Sequence, residues 1–154
     1  MIDDHRGPTP AVLLPEVVAG LSRRLVTCGT HLVAAYLFGS VARSESGPLS
    51  DLDVALLFDG PSLDADARLA AAARCQTILA TESSLPVQVS VLNEASPSFV
   101  HRVLRDGVIL VGADDPRRVS FEARALAEYL DFQPLMDRFD RALMARAREG
   151  RLGT

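Results

Sequence analysis

The chain has 154 residues, 48% apolar and 23% charged, with a formal net charge of -4 and a pI near 5.3. That size and mix suit one globular domain with a real core. The acidic balance excludes broad electrostatic binding to nucleic acid, which needs a basic stripe to displace counterions.

Residues 1–10, with Gly7, Pro8 and Pro10, read as a flexible leader, acidic at Asp3-Asp4 and lacking the basic-then-apolar order of a signal peptide. Leu14, Val18, Leu21, Leu25 and Cys28 then recur at spacings of four and three, which predicts an amphipathic helix with Pro15 in its first turn and Gly29 at its end. Leu32 to Phe38 is apolar throughout, as a strand covered on both faces would be. A tight Gly39-Ser40 turn and a polar loop to Ser50, turned again at Gly47-Pro48, lead to a second strand over about 51–58. Asp59-Gly60-Pro61-Ser62 breaks the chain, and Ser62 is expected to cap a helix over about 63–83 with Ala71, Cys75, Ile78 and Leu79 on one face.

Pro86 opens a third strand, 87–92, in which Val87, Val89 and Val91 alternate with Gln88 and Ser90. Strict alternation predicts one buried and one accessible face. A short helix over 96–105 leads through Asp106-Gly107 into a fourth strand, 108–111, and two helices follow, 116–130 and 134–148, with a break at Gln133 before Pro134. This tail carries more large apolar groups than a small sheet needs, so part of it reads either as an interface or as ordinary core helix. No apolar run approaches the roughly 18 residues that span a bilayer. Cys28 and Cys75 have neither metal nor disulfide spacing, so buried free thiols and a cytoplasmic location are expected.

Chemistry concentrates at Gly39-Ser40-Val41-Ala42-Arg43 and Ser50-Asp51-Leu52-Asp53. Alternate side chains of a strand share a face, so Asp51 and Asp53 should project together. Two carboxylates beside a turn of small residues suit a divalent cation carrying a polyphosphate.

These residues resemble the nucleotidyltransferase superfamily that includes DNA polymerase β, in which Gly-Ser followed by Asp-x-Asp is the signature, and most closely its smallest members. The likeness runs from about residue 32 to 112. Phe121-Glu122 and Tyr129-Leu130-Asp131-Phe132-Gln133-Pro134 extend it, looking like the tail of the minimal nucleotidyltransferase antitoxins. The resemblance implies an α/β (α+β) fold: a small mixed sheet of about four strands flanked by helices, with a helical C-terminal tail. It implies a nucleotidyltransferase core over 11–113 and a helical extension over 114–154 that packs on the core and on a partner.

The partner implied is a HEPN-family ribonuclease toxin in a hetero-oligomer, and the activity is transfer of AMP from ATP to a toxin tyrosine with magnesium of the two-metal type. By the same resemblance Gly39 and Ser40 hold the triphosphate and Asp51 and Asp53 bind the metal. Arg43 steadies the loop or neutralises phosphate charge, and Ser50 fixes the entry to the strand. One position departs from the pattern. Active members place a third carboxylate on the neighbouring strand, where this chain has Gln88. Glutamine offers a neutral oxygen and takes up no proton, so transfer should slow by about 10²–10⁴-fold, as for loss of a general base. Glu82 and Glu94 are the nearby acids that could substitute. Two alternatives stand beside the enzyme: a weakened nucleotidyltransferase that restrains its toxin by complex formation, and a small-molecule nucleotidyltransferase.

Overall fold

The structure is a computed structural model and describes residues 10–29, 31–45, 47, 50–81 and 83–150. The leader (save Pro10), Pro48 and Glu82 therefore lie outside the described residues. The elements are α1 (Pro10–Leu25), a 3₁₀ turn (Val26–Cys28), β1 (Leu32–Phe38), a helical turn α2 (Gly39–Ala42) and β2 (Leu52–Phe58). Then follow α3 (Ala65–Ala80), β3 (Val87–Val91), α4 (Pro97–Asp106), β4 (Val108–Val111) and α5 (Pro116–Arg148). The four strands form one mixed sheet in the order β3-β2-β1-β4. β1 runs antiparallel to β2 and β4, and β2 runs parallel to β3.

Each sheet face has its own core. Leu37, Val54, Leu56, Phe58 and Val87 pack against Leu21 and Leu25 of α1 and Cys75 and Leu79 of α3. Tyr36, Phe38, Ala55 and Leu57 pack against Val100 and Val103 of α4 and Ala125 of α5. Full burial of side chains of this size stabilises by roughly 1.5–3 kcal/mol each. This double cover explains why β1 and β2 read as unbroken apolar runs. Burial, with the nearby Cys28 thiol as the second cause, pushes the Cys75 thiol up to about 12. Cys28 itself is only partly buried.

A polar clamp fixes α5 to the sheet. The Tyr36 hydroxyl donates to Glu122 Oε1 at 2.7 Å. Arg118 donates to the same carboxylate at 2.5 Å and to the Gly112 carbonyl at 2.9 Å. Burial first, and then Glu122, holds the phenol well above the usual tyrosine range.

Five local expectations need correction. Pro15 lies inside α1, not in its first turn, because the helix already starts at Pro10. The Gly39-Ser40 turn continues into the single helical turn α2. Asp64, not Ser62, caps α3 by accepting from the Ala67 N–H at 2.8 Å, while the Ser62 hydroxyl donates to Asp59. A carboxylate two residues closer to the alanine run is the better-placed acceptor. Cys28 is not buried, since the chain has by then left α1. Finally, α5 is one helix of 33 residues that passes through Pro134 without a break. Proline there removes the bond to the Leu130 carbonyl. Both residues are exposed, so water can take that acceptor. Among the described residues no helix is long and apolar enough to cross a membrane.

Candidate active site

β2 sends Leu52 and Val54 into the α1/α3 core, so strand parity turns Asp53 to the opposite face. β3 pairs Gln88 with Asp53, and its valines also point into the α1/α3 core. Asp51 stands one residue ahead of β2, whose entry is fixed by the Leu52 N–H donating to the Pro86 carbonyl at 2.8 Å. The Gln88 amide bridges the strands by donating from Nε2 to Asp51 Oδ2 at 2.9 Å. Asp51 and Asp53 are both half-buried, whereas Gln88 is exposed. The three side chains thus meet at a corner where α4 and α5 no longer cover the sheet.

Gly39 forms the wall of this corner. Its φ is +77°, and a Cβ there would run into the Asp53 carboxylate. Both backbone geometry and space therefore demand glycine. The Ser40 hydroxyl donates to Ser50 Oγ at 3.3 Å, and Ser50 Oγ accepts from the Gly47 N–H at 2.8 Å. This hydroxyl chain joins the two halves of the motif across ten residues. Arg43 pairs mainly with Glu45 at 2.9 Å and reaches Asp106 at 4.0 Å, so its strongest contacts brace the loop.

The Asp53 carboxyl is held above the ordinary carboxylate value, first by burial and then by the Asp51 charge. Arg102 and Arg43 oppose that shift. The pair is thus a concentration of negative charge that a cation would relieve. Among the described residues no three His, Cys, Asp or Glu side chains gather to hold a metal. Two carboxylates nonetheless fit magnesium, which is commonly held by one or two carboxylates, with water and substrate phosphates completing its shell. Glu94 offers no third acid: it pairs with Arg68 and follows the opposite end of β3.

Sequence reasoning missed Arg102, which the tertiary packing of α4 brings to this corner. The local signal was a Phe99-x-x-Arg102 spacing, which puts an aromatic ring and a guanidinium on one helix face. A separate cavity of about 460 Å³ lies at the far end of β2, lined by Phe58, Asn93, Arg117 and Phe121 among others, remote from the acids.

The family model described as polymerase beta, nucleotidyltransferase matches residues 26–116, a segment holding the whole corner. The chain belongs to that family. Its fold is shared with a toxin–antitoxin crystallised with AMP-PNP, at 24% identity and TM-score 0.65, over 82% of this chain and 98% of that one. A Shewanella oneidensis complex of a tri-AMPylated HEPN toxin with an MNT antitoxin matches at 22% identity and TM-score 0.61, over 85% and 98%. A mutant MntA–HpeT toxin–antitoxin matches at 21% identity and TM-score 0.63, over 85% and 98%. No curated protein matches the sequence. The mixed four-stranded sheet with its helical C-terminal region is the polymerase β-like arrangement expected from the motif.

Proposed function

We propose that this protein is an antitoxin-type nucleotidyltransferase of the cytoplasm that neutralises a HEPN ribonuclease toxin by transferring AMP from ATP to a toxin tyrosine. The observation that carries the reading is the pair Asp51 and Asp53, held side by side against the Gly39 turn. Support comes from the shared fold with an antitoxin whose toxin partner carries AMP, and with a toxin–antitoxin that took up an ATP analogue.

Asp51 and Asp53 would hold magnesium, which when bound draws charge from the phosphates and favours attack at the α-phosphorus. The tyrosine oxygen gives up its proton to solvent water and forms a bond to that phosphorus, the bond to the bridging oxygen breaks, and pyrophosphate leaves. Ser40 presents a hydroxyl donor to the triphosphate, and Gly39 keeps the wall thin. Ser50 orients Ser40, and Arg43 braces the loop. Residues 11–113 serve as the catalytic core, and the extension 114–154 holds the toxin.

One observation favours a second reading. The Gln88 amide occupies an Asp51 lone pair, at the position where the family resemblance implies an acid. A chain so arranged would restrain its toxin chiefly by binding it.

Incubation with labelled ATP, magnesium and the HEPN partner separates the two. Transfer predicts label on the partner that disappears in Asp51→Ala. In Gln88→Asp, which adds a carboxylate, label should appear faster by about 10²–10⁴-fold. A stable complex that never acquires label, in the wild type or in Gln88→Asp, would establish restraint by binding.

A further inference from the structure

One cation at the open corner is unaccounted for by the motif. Arg102 is exposed on α4 and, among the described residues, pairs with no carboxylate. Its neighbours are compensated: Arg105 is bound by Asp106 at 2.8 Å, and Arg43 by Glu45 at 2.9 Å. This guanidinium acts electrostatically on Asp53, and on Asp106 one turn along α4, and packing places it. Its carbon sits 5.2 Å from the centroid of the Phe99 ring. Phe99 in turn meets Phe38 edge-to-face, with centroids 5.5 Å apart. Phe38 is the residue before Gly39 and the cross-strand partner of Asp53. The chain Asp53–Phe38–Phe99–Arg102 therefore links the carboxylate strand to the cation through packed aromatic rings rather than through a loop.

The acids fill one side of the corner, and a triphosphate brought in by a cation would leave oxygens facing away from them. A planar guanidinium with free donors, held on an aromatic face, suits those oxygens. Resting on the nucleotidyltransferase reading above, we propose that Arg102 is a phosphate-binding residue of the nucleotide site, donating to the triphosphate from the α4 side.

Titration calorimetry with AMP-PNP and magnesium tests this without any toxin. Arg102→Gln keeps a stem on Phe99 and removes the charge, and its affinity should fall about tenfold or more, the usual effect of losing a charge-assisted hydrogen bond. Arg102→Lys should fall less, since charge remains but the fork does not. Arg74→Ala, an exposed arginine on α3 across the sheet, should bind as wild type does. Melting temperatures within a degree or two of wild type would show that the fold is intact. Unchanged affinity in folded Arg102→Gln overturns the proposal while leaving the nucleotidyltransferase reading standing. A wild-type protein that fails to bind the analogue sinks both.

Discussion

The two faces of the sheet have the same strands and opposite tasks. On the α1/α3 side every inward residue of β2 is apolar and buried. On the other side α4 and α5 cover β1 and the middle of β2, then stop short of the corner where β2 begins. The first face is optimised for packing. The second gives up cover, and there the protein keeps adjacent carboxylates, a left-handed glycine and an unpaired arginine. The proposed chemistry occupies the place where hydrophobic burial ends, because only there can a charged ligand reach the acids without first breaking the core.

If the faces differ in this way, substitutions on them should have opposite signs. Leu56→Ala, at a fully buried site on the closed face, should destabilise by about 2–5 kcal/mol in urea titrations, through lost transfer energy and a residual cavity. A loss below 1 kcal/mol would mean that this face is loosely packed and the contrast unreal.

On the open face, Asp53→Asn should raise the melting temperature at pH 7 while removing the magnesium and nucleotide binding proposed above. The Asp53 carboxyl titrates above its ordinary value of 3.8 in the folded protein. The folded state therefore holds this proton more tightly, and stability is lost as pH rises through the folded value. Asparagine removes that loss. Its advantage should shrink as pH falls towards 4, and added magnesium should stabilise the wild type alone. A mutant melting below wild type at pH 7 would show that the carboxylate is structurally satisfied, which contradicts a site held open for a ligand.

What could be read from the sequence divides along the same line. The strands of the closed face were legible because long apolar runs bounded by Gly and Pro leave few alternatives, and the parity of Asp51 and Asp53 followed from local strand geometry. Arg102 was not legible, since its place beside Asp53 depends on α4 crossing from β3 to the end of β1. Pro134 misled for a different reason. The rule that proline ends a helix assumes that the freed carbonyl has no other partner, and on an exposed helix water is that partner. The Ser62 cap failed against a competing acceptor two residues on. The accessible face of Gln88 could be read from the alternation of its strand, but its bond to Asp51 required the β2–β3 register.

The smallest expected effect on stability is also the sharpest test of where a partner sits. The stripe that partly buries Phe121 and fully buries Ala125 resumes seven residues on at Phe132 and runs through Met136, Phe139 and Leu143 at spacings of four and three. Met136 still touches Ser98 of α4, but Phe139 is 68% exposed. An apolar stripe that outlasts its support costs solubility unless something covers it. Because Phe139 contributes little to the isolated fold, Phe139→Asp should change stability by less than about 0.5 kcal/mol. If the extension holds the toxin, the same change should abolish the complex in size-exclusion chromatography while AMP-PNP binding is retained. A complex that survives would move the toxin surface away from the distal half of α5, leaving the open corner itself as the place where the two proteins meet.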